Sequence, residues 1–90
     1  MCSVYILFSL KDRKLYTGMT GDLRQRYGQH KRGEVKSTKD RLPLVLIYYE
    51  RCRLKSDTER REKYLKGGNG RVSLKIQLKD DLLRLRYRHL

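Results

Sequence analysis

The amino-acid sequence predicts a small α/β chain of the α+β kind: a three-stranded antiparallel sheet flanked by helices. Three observations carry that expectation. Residues 4–9 and 14–18 are short apolar runs on either side of the turn-like Lys11-Asp12-Arg13-Lys14, which is a hairpin signature. Residues 44–49 form an unbroken apolar run just after the only proline. Two further segments, 22–32 and 56–66, carry helix signals and each ends at glycine.

In chain order, the hairpin comes first, and it brings Tyr5 and Tyr16 to one side of the sheet. Gly18 and Gly21 then punctuate a turn. Residues 22–32 read as a helix with Gly33 at the C-terminal cap position. In it Leu23 and Tyr27 can face the sheet, while Arg26 and His30 share a different face. Gly28 costs about 1 kcal/mol against Ala inside a helix, which a close helix-to-sheet approach would explain. Residues 33–41 are polar and basic, hence a loop. The apolar run 44–49 suits a central strand covered on both faces. Ser56-Asp57-Thr58-Glu59 reads as a capping box, opening a helix that runs to Lys66 and stops at Gly67-Gly68. In the tail, Val72, Leu74, Ile76 and Leu78 alternate as in a strand, whereas Leu74, Leu78, Leu82 and Leu85 recur at helical spacing.

Ninety residues make one domain, 1–90, without a repeat or low-complexity segment. Charge is the dominant compositional fact, with 23 Lys plus Arg against 10 Asp plus Glu for a net +13. Such a field attracts polyanions, and a nucleic acid would neutralise its self-repulsion. Ribosome-associated proteins share this composition, so charge gives the class of partner and not the activity. No run approaches the about 18 apolar residues of a membrane span. The short apolar run 4–10 has no basic leader and does not read as a signal peptide. Cys2 and Cys52 lack metal-ligand spacing, so two free thiols in a reducing cytoplasm are expected. No membrane and no obligate protein partner is expected.

Five ordered pieces carry more. They are Val4-Tyr5-Ile6-Leu7 with Leu15-Tyr16-Thr17-Gly18; Asp22-Leu23-Arg24-Gln25-Arg26 followed by His30; Lys36-Ser37-Thr38-Lys39 with Arg41-Leu42-Pro43; Tyr48-Tyr49-Glu50; and Arg61-Glu62-Lys63 with Leu65-Lys66. Over residues 4–71 they resemble the GIY-YIG nuclease family, in its small stand-alone bacterial branch, related to the catalytic domain of excision-repair incision subunits. The resemblance implies a metal-dependent endonuclease that hydrolyses phosphodiester bonds in DNA, and a helical tail over 72–90. It implies that Tyr5 and Tyr16 line the site, one of them acting as base or positioning the water. Arg26, ten residues after Tyr16, matches the family's arginine, and Glu62 matches its carboxylate for magnesium or manganese.

The residue chemistry agrees with those roles. A lone phenol, with a reference pKa near 10, is a poor base unless a metal-bound water, a cation or a second phenol assists it. A guanidinium grips two phosphate oxygens at once, as Lys does not. One carboxylate is enough for magnesium, which keeps most of its water. His30, one turn beyond Arg26, can reach the phosphate or the attacking water. Arg24, Lys36, Lys39 and Arg41 are candidates for phosphate contacts that position the nucleic acid without reading it. Tyr48 and Tyr49 are candidates to stack on a base. Each residue also has a bland reading. Glu62 lies among Arg60, Arg61, Lys63 and Lys66, where a Glu four before a Lys is an ordinary exposed helix pair. Tyr5 and Tyr16 also suit half-buried strand positions.

The pattern departs from the family at Ser3, which replaces the first glycine, and at Val4 and Thr17, which replace isoleucines. Met19 stands where the repair subunits carry lysine. Without a second domain, cleavage is expected to be structure-selective or weakly specific. Two alternatives remain: a catalytically silent nucleic-acid-binding module of the same fold, and a small basic RNA-binding protein.

Overall fold

The structure, a computed structural model, describes residues 1–87. Strands β1 (Cys2–Ser9) and β2 (Leu15–Thr20) form the hairpin, followed by α1 (Leu23–Lys31) and a single 3₁₀ turn (Lys39–Arg41). Strand β3 (Leu44–Cys52) and helices α2 (Lys55–Lys66), α3 (Gly68–Gln77) and α4 (Lys79–Arg84) complete the chain. The sheet is antiparallel throughout, in the order β2-β1-β3. The expected fold class is therefore the one observed.

Within that class, β1 and β3 exchange their expected places. The run at 44–49 was expected at the centre, but β3 is an edge strand and β1 is central. The reason is legible in burial. Every residue from Ser3 to Ser9 is buried, whereas β3 ends in Tyr49, Glu50 and Arg51, which need water on one side. Gly18 also lies inside β2 and not in a turn, because β2 continues to Thr20.

Alternation along β1 splits the molecule into two layers. Val4, Ile6 and Phe8 point to α2, α3 and α4 and join Leu15, Leu65, Leu74 and Leu82 in an apolar core. Tyr5 and Leu7 point the other way, to Leu44, with Leu23 and Tyr27 of α1 packed on them. Cys2 and Cys52 stand opposite each other across β1 and β3, both as free thiols.

The helices refine the sequence expectations. Asp22 caps α1 by accepting from the Gln25 amide at 3.1 Å, and Gly33 beyond its end has φ +75°, the left-handed conformation that favours glycine. Gly28 is not explained by the sheet, since a β-carbon there would meet only the Arg32 side chain. The capping box does not form. Helix α2 starts one residue earlier, with Leu54 at the N-cap and no side-chain cap. Buried Thr58 instead donates to the Leu54 carbonyl at 3.0 Å. The α2 helix does stop at Gly67, as expected. In the tail the helical spacing prevails: Leu74 and Leu82 are buried and Leu78 and Leu85 pack beside them, while Val72 and Ile76 stay exposed. Strand alternation would have buried all four of Val72, Leu74, Ile76 and Leu78 on one face. Of the expected helical tail at 72–90, residues 88–90 lie outside the described residues.

Candidate active site

The site begins with Gly18. In the register, Gly18 stands opposite Tyr5, and a β-carbon on it would fall 2.5 Å from the Tyr5 hydroxyl oxygen. Glycine there lets the Tyr5 ring lean across β2 towards Tyr16. The two rings lie 6.3 Å apart, tilted by 42°. The hairpin thus brings both phenols to one face, as its turn and register require.

Helix α1 supplies the next groups. Leu23 and Tyr27 anchor it, and the Tyr27 hydroxyl donates to the Leu44 carbonyl at 3.3 Å and accepts from the Leu46 amide at 3.2 Å. That docking drives His30 into the interior. His30 was expected on the surface, within reach of phosphate, yet it is fully buried and both ring nitrogens are engaged. Nε2 lies 2.8 Å from the Tyr5 hydroxyl, and Nδ1 lies 2.7 Å from the Thr38 hydroxyl. The His30 ring also meets Tyr16 edge-on at 5.2 Å. Thr38 is fully buried and comes from the basic loop. It was not singled out in the sequence, although it stands in the quoted Lys36-Ser37-Thr38-Lys39 piece. A threonine among lysines carries no signal of burial.

Arg26, half-buried on the same helix, donates to Gln29 Oε1 at 3.1 Å, and its guanidinium lies near enough to bear on the Tyr5 phenol. These neighbours set the protonation states. Burial pushes the Tyr5 phenol up to about 12; Tyr16 and Glu62 add to the rise and Arg26 opposes it. Burial, then the charge of Arg26, brings His30 down to about 4. At neutral pH the cluster holds a neutral phenol against a neutral imidazole, with a guanidinium beside them.

Glu62 of α2 approaches from the opposite layer. Its charge is near enough to bear on the Tyr5 phenol. Its side chain is only 17 % exposed, and Lys66 Nζ lies 3.3 Å from its Oε2. The ordinary i, i+4 pair therefore forms, but not on open surface. Among the described residues no group of three or more His, Cys, Asp or Glu side chains could hold a metal. A lone, largely buried carboxylate fits a magnesium or manganese ion that keeps water and substrate oxygens as its other ligands.

The residues expected to touch phosphates divide. Lys36 and Lys39 are exposed on the loop that carries Thr38, and Ser37 reaches the Tyr16 hydroxyl at 3.4 Å. Arg41 is held within the fold by Asp12, at 2.5 Å, and by the Leu15 carbonyl. That pairing also keeps the Asp12 carboxyl below the usual carboxylate range, against the effect of its own burial. Arg24 is exposed on the flank of α1 away from Arg26.

Tyr5 and Tyr16 of the hairpin thus meet His30 of α1 on one face of the sheet, with Arg26 beside them. The model of the GIY-YIG catalytic domain matches residues 1–75, and the chain belongs to that family. A UPF0213 protein of Staphylococcus haemolyticus is 40% identical over 74 residues, 81% of this chain and 89% of the relative. One of Clostridium perfringens is 42% identical over 64 residues, 70% of this chain and 68% of the relative. One of Streptococcus pyogenes is 46% identical over 48 residues, 52% of this chain and 51% of the relative. No solved structure matches at a significant level. Membership in the family implies nuclease-type phosphodiester hydrolysis and a nucleic-acid substrate. Among the described residues no helix is long and apolar enough to cross a membrane.

Proposed function

We propose that this single domain is a metal-dependent endonuclease acting on DNA with little sequence specificity, with Tyr5, Tyr16, Arg26, His30 and Glu62 as its working residues. The observation that carries this reading is the 2.8 Å contact between Tyr5 and a neutral, buried His30. A phenol raised to about 12 does not ionise on its own at neutral pH. It acts as a base only if its proton leaves as another arrives. Here Nε2 of His30 accepts the Tyr5 proton while the Tyr5 oxygen takes one from the attacking water. In that tautomer His30 Nδ1–H donates to the Thr38 hydroxyl. The hydroxide so formed attacks phosphorus, the bond to the leaving oxygen breaks, and that oxygen takes up a proton from solvent.

Substrate charge makes His30 a better acceptor. Part of its depression comes from Arg26, and a phosphate gripped by that guanidinium cancels the repulsion. Base strength thus rises when substrate binds. Tyr16, the more exposed phenol, orders the water from outside. Glu62 would hold a magnesium or manganese ion, which supplies charge neutralisation at the leaving oxygen. Lys36 and Lys39 extend the phosphate-binding surface; Arg41, already paired, does not.

Cleavage of labelled single-stranded, duplex and branched DNA, with magnesium or manganese and with a chelator, tests this. Metal-dependent nicking is expected, lowered about a hundredfold or more by Arg26→Ala, Glu62→Ala or His30→Ala. Tyr16→Phe is expected to lower it less. Undiminished nicking by Glu62→Ala removes the metal assignment. Salt-sensitive binding without cutting by any form moves the protein to a silent binding module.

A further inference from the structure

Helix α1 lies along the sheet and leaves a different hollow on each flank. Arg26 and His30 flank the side towards β2, where the phenols meet. On the β3 side, Arg24 and Tyr27 face an open groove of about 490 Å³, within the about 300–1,000 Å³ of small-ligand clefts. Its other walls include Ser3, Asp22, Tyr49 and Arg51. The groove is preformed, because the Tyr27 hydroxyl is bonded to both Leu44 and Leu46 of the edge strand.

We infer that this groove is a stacking subsite for an unpaired base of single-stranded DNA, with Tyr49 as the platform and Arg24 and Arg51 on the flanking phosphates. Tyr49 is 53% exposed on the α1 face of an edge strand, an aromatic surface that the fold does not use. Every base has a π-face, so such a ring accepts any base and fits weakly specific binding. Neither Arg24 nor Arg51 makes an ion pair among the described residues, and both are exposed. Asp22 is the acidic wall residue, and its carboxylate already takes the Gln25 amide. The groove therefore sets aromatic rings beside two exposed guanidiniums, a combination that suits a nucleotide strand. Duplex DNA offers no free base face to a single ring, so the occupant is single-stranded.

Position ties the groove to the neighbouring site. Tyr49 stands directly opposite Tyr5 across β1 and β3, and opposed residues lie about 4.5–5.5 Å apart at Cβ. The groove and the phenol pair therefore share one face of the sheet, one on each flank of α1. This deepens the nuclease reading and rests on it for the location of the cut, but binding to the groove can be measured without any cleavage.

The test is fluorescence titration in chelator of oligodeoxynucleotides carrying 2-aminopurine, single-stranded or in a blunt duplex, beside oligoribonucleotides of the same sequence. Tyr49→Ala is expected to weaken single-stranded DNA binding roughly tenfold and to abolish the stacking-induced fluorescence change, while Tyr49→Phe retains both. Duplex binding should change less than about twofold, and Arg51→Ala should lower the salt slope by about one. Unchanged single-strand affinity in Tyr49→Ala, or an equal loss on duplex, overturns the subsite. A loss confined to RNA overturns its assignment to DNA. If the wild-type protein cuts nothing but Tyr49→Ala still loses single-strand affinity, the subsite stands and the nuclease reading falls.

Discussion

The two faces of β1 show how one strand serves two purposes. Towards α2, α3 and α4 its side chains are Val4, Ile6 and Phe8, with no exposed surface and apolar neighbours. Towards α1 they are Ser3, Tyr5, Leu7 and Ser9, equally buried but with polar atoms among them. The Tyr5 hydroxyl is satisfied in a chain that runs from Thr38 through His30, Ser9 donates to the Arg41 carbonyl, and no buried side-chain polar atom lacks a partner among the described residues. The helical layer holds the molecule together, and the α1 layer holds polar groups in one geometry. The difference between them is stability against preorganisation, which mutation can separate.

The largest effects are expected in the helical layer. Leu74→Ala removes a side chain 1% exposed from the apolar core and should lower stability by about 2–5 kcal/mol in denaturant unfolding. Gly70→Ala should be comparable or worse, because the added carbon would overlap the Tyr64 carbonyl where α3 meets α2. Both should lose cleavage only to the extent that the protein unfolds. A folded Leu74→Ala protein with a specific loss of activity would contradict the separation of the layers.

The α1 layer should announce itself through pH. The folded pKa of His30, about 4, lies below its unfolded value of 6.5, so the unfolded chain binds the proton more tightly. Its contribution is fully present above pH 6.5 and is lost as pH falls towards 4, amounting to about 3 kcal/mol. Tyr5, Tyr16 and Thr38 face the ring, with the Arg26 charge beside them. Asp12, lowered by Arg41, acts only below its ordinary value of 3.8. Stability of wild type and His30→Gln, measured from pH 7 to 4, should diverge in slope. Parallel profiles would mean that His30 titrates normally.

How much of this was legible beforehand follows the same division. Periodicity located the strands, α1 and α2, because apolar spacing reports burial directly; in the tail it fitted strand and helix alike, and the family resemblance pointed to helix. It misplaced β3, since the runs at 4–8 and 44–49 are equally apolar and only the polar end of β3 marks an edge. The ordered pieces named Tyr5, Tyr16, Arg26, His30 and Glu62, yet nothing in the spacing showed that His30 is interior. That depends on Tyr27 docking α1 against β3, a contact between residues 17 and 19 positions apart. Thr38 and Gly18 were hidden for the same reason. Their importance lies in what stands opposite them, which a linear pattern does not record.

Two fully buried threonines sharpen the comparison at smaller cost. Thr38 bonds His30 in the α1 layer, and Thr58 bonds back to Leu54 in α2. Valine at either position keeps the shape and removes one hydroxyl. Thr38→Val leaves His30 Nδ1 without its partner and should cost about 1–3 kcal/mol. It should also lower cleavage beyond any loss of folded protein, because the imidazole loses the partner that holds its ring against Tyr5. Thr58→Val frees only a carbonyl at a helix start and should leave cleavage per folded molecule unchanged. Equal effects on activity would show that Thr38 is merely structural.

The smallest effect concerns Glu62, the residue of the helical layer proposed to hold the metal. Lys66 competes for its carboxylate at 3.3 Å, but the lysine side chain is 55 % exposed, so the pair is screened by water. Such pairs amount to about 0.2–1 kcal/mol, or roughly two- to fivefold in an equilibrium. A metal bound by Glu62 must displace that interaction before it gains its own. Lys66→Ala should therefore lower the magnesium concentration needed for half-maximal cleavage by no more than about fivefold, and removing a positive charge next to the ion acts in the same direction. Melting should barely move. A higher magnesium requirement would mean that Lys66 helps to hold substrate phosphate, and that the positive surface extends across the layer boundary.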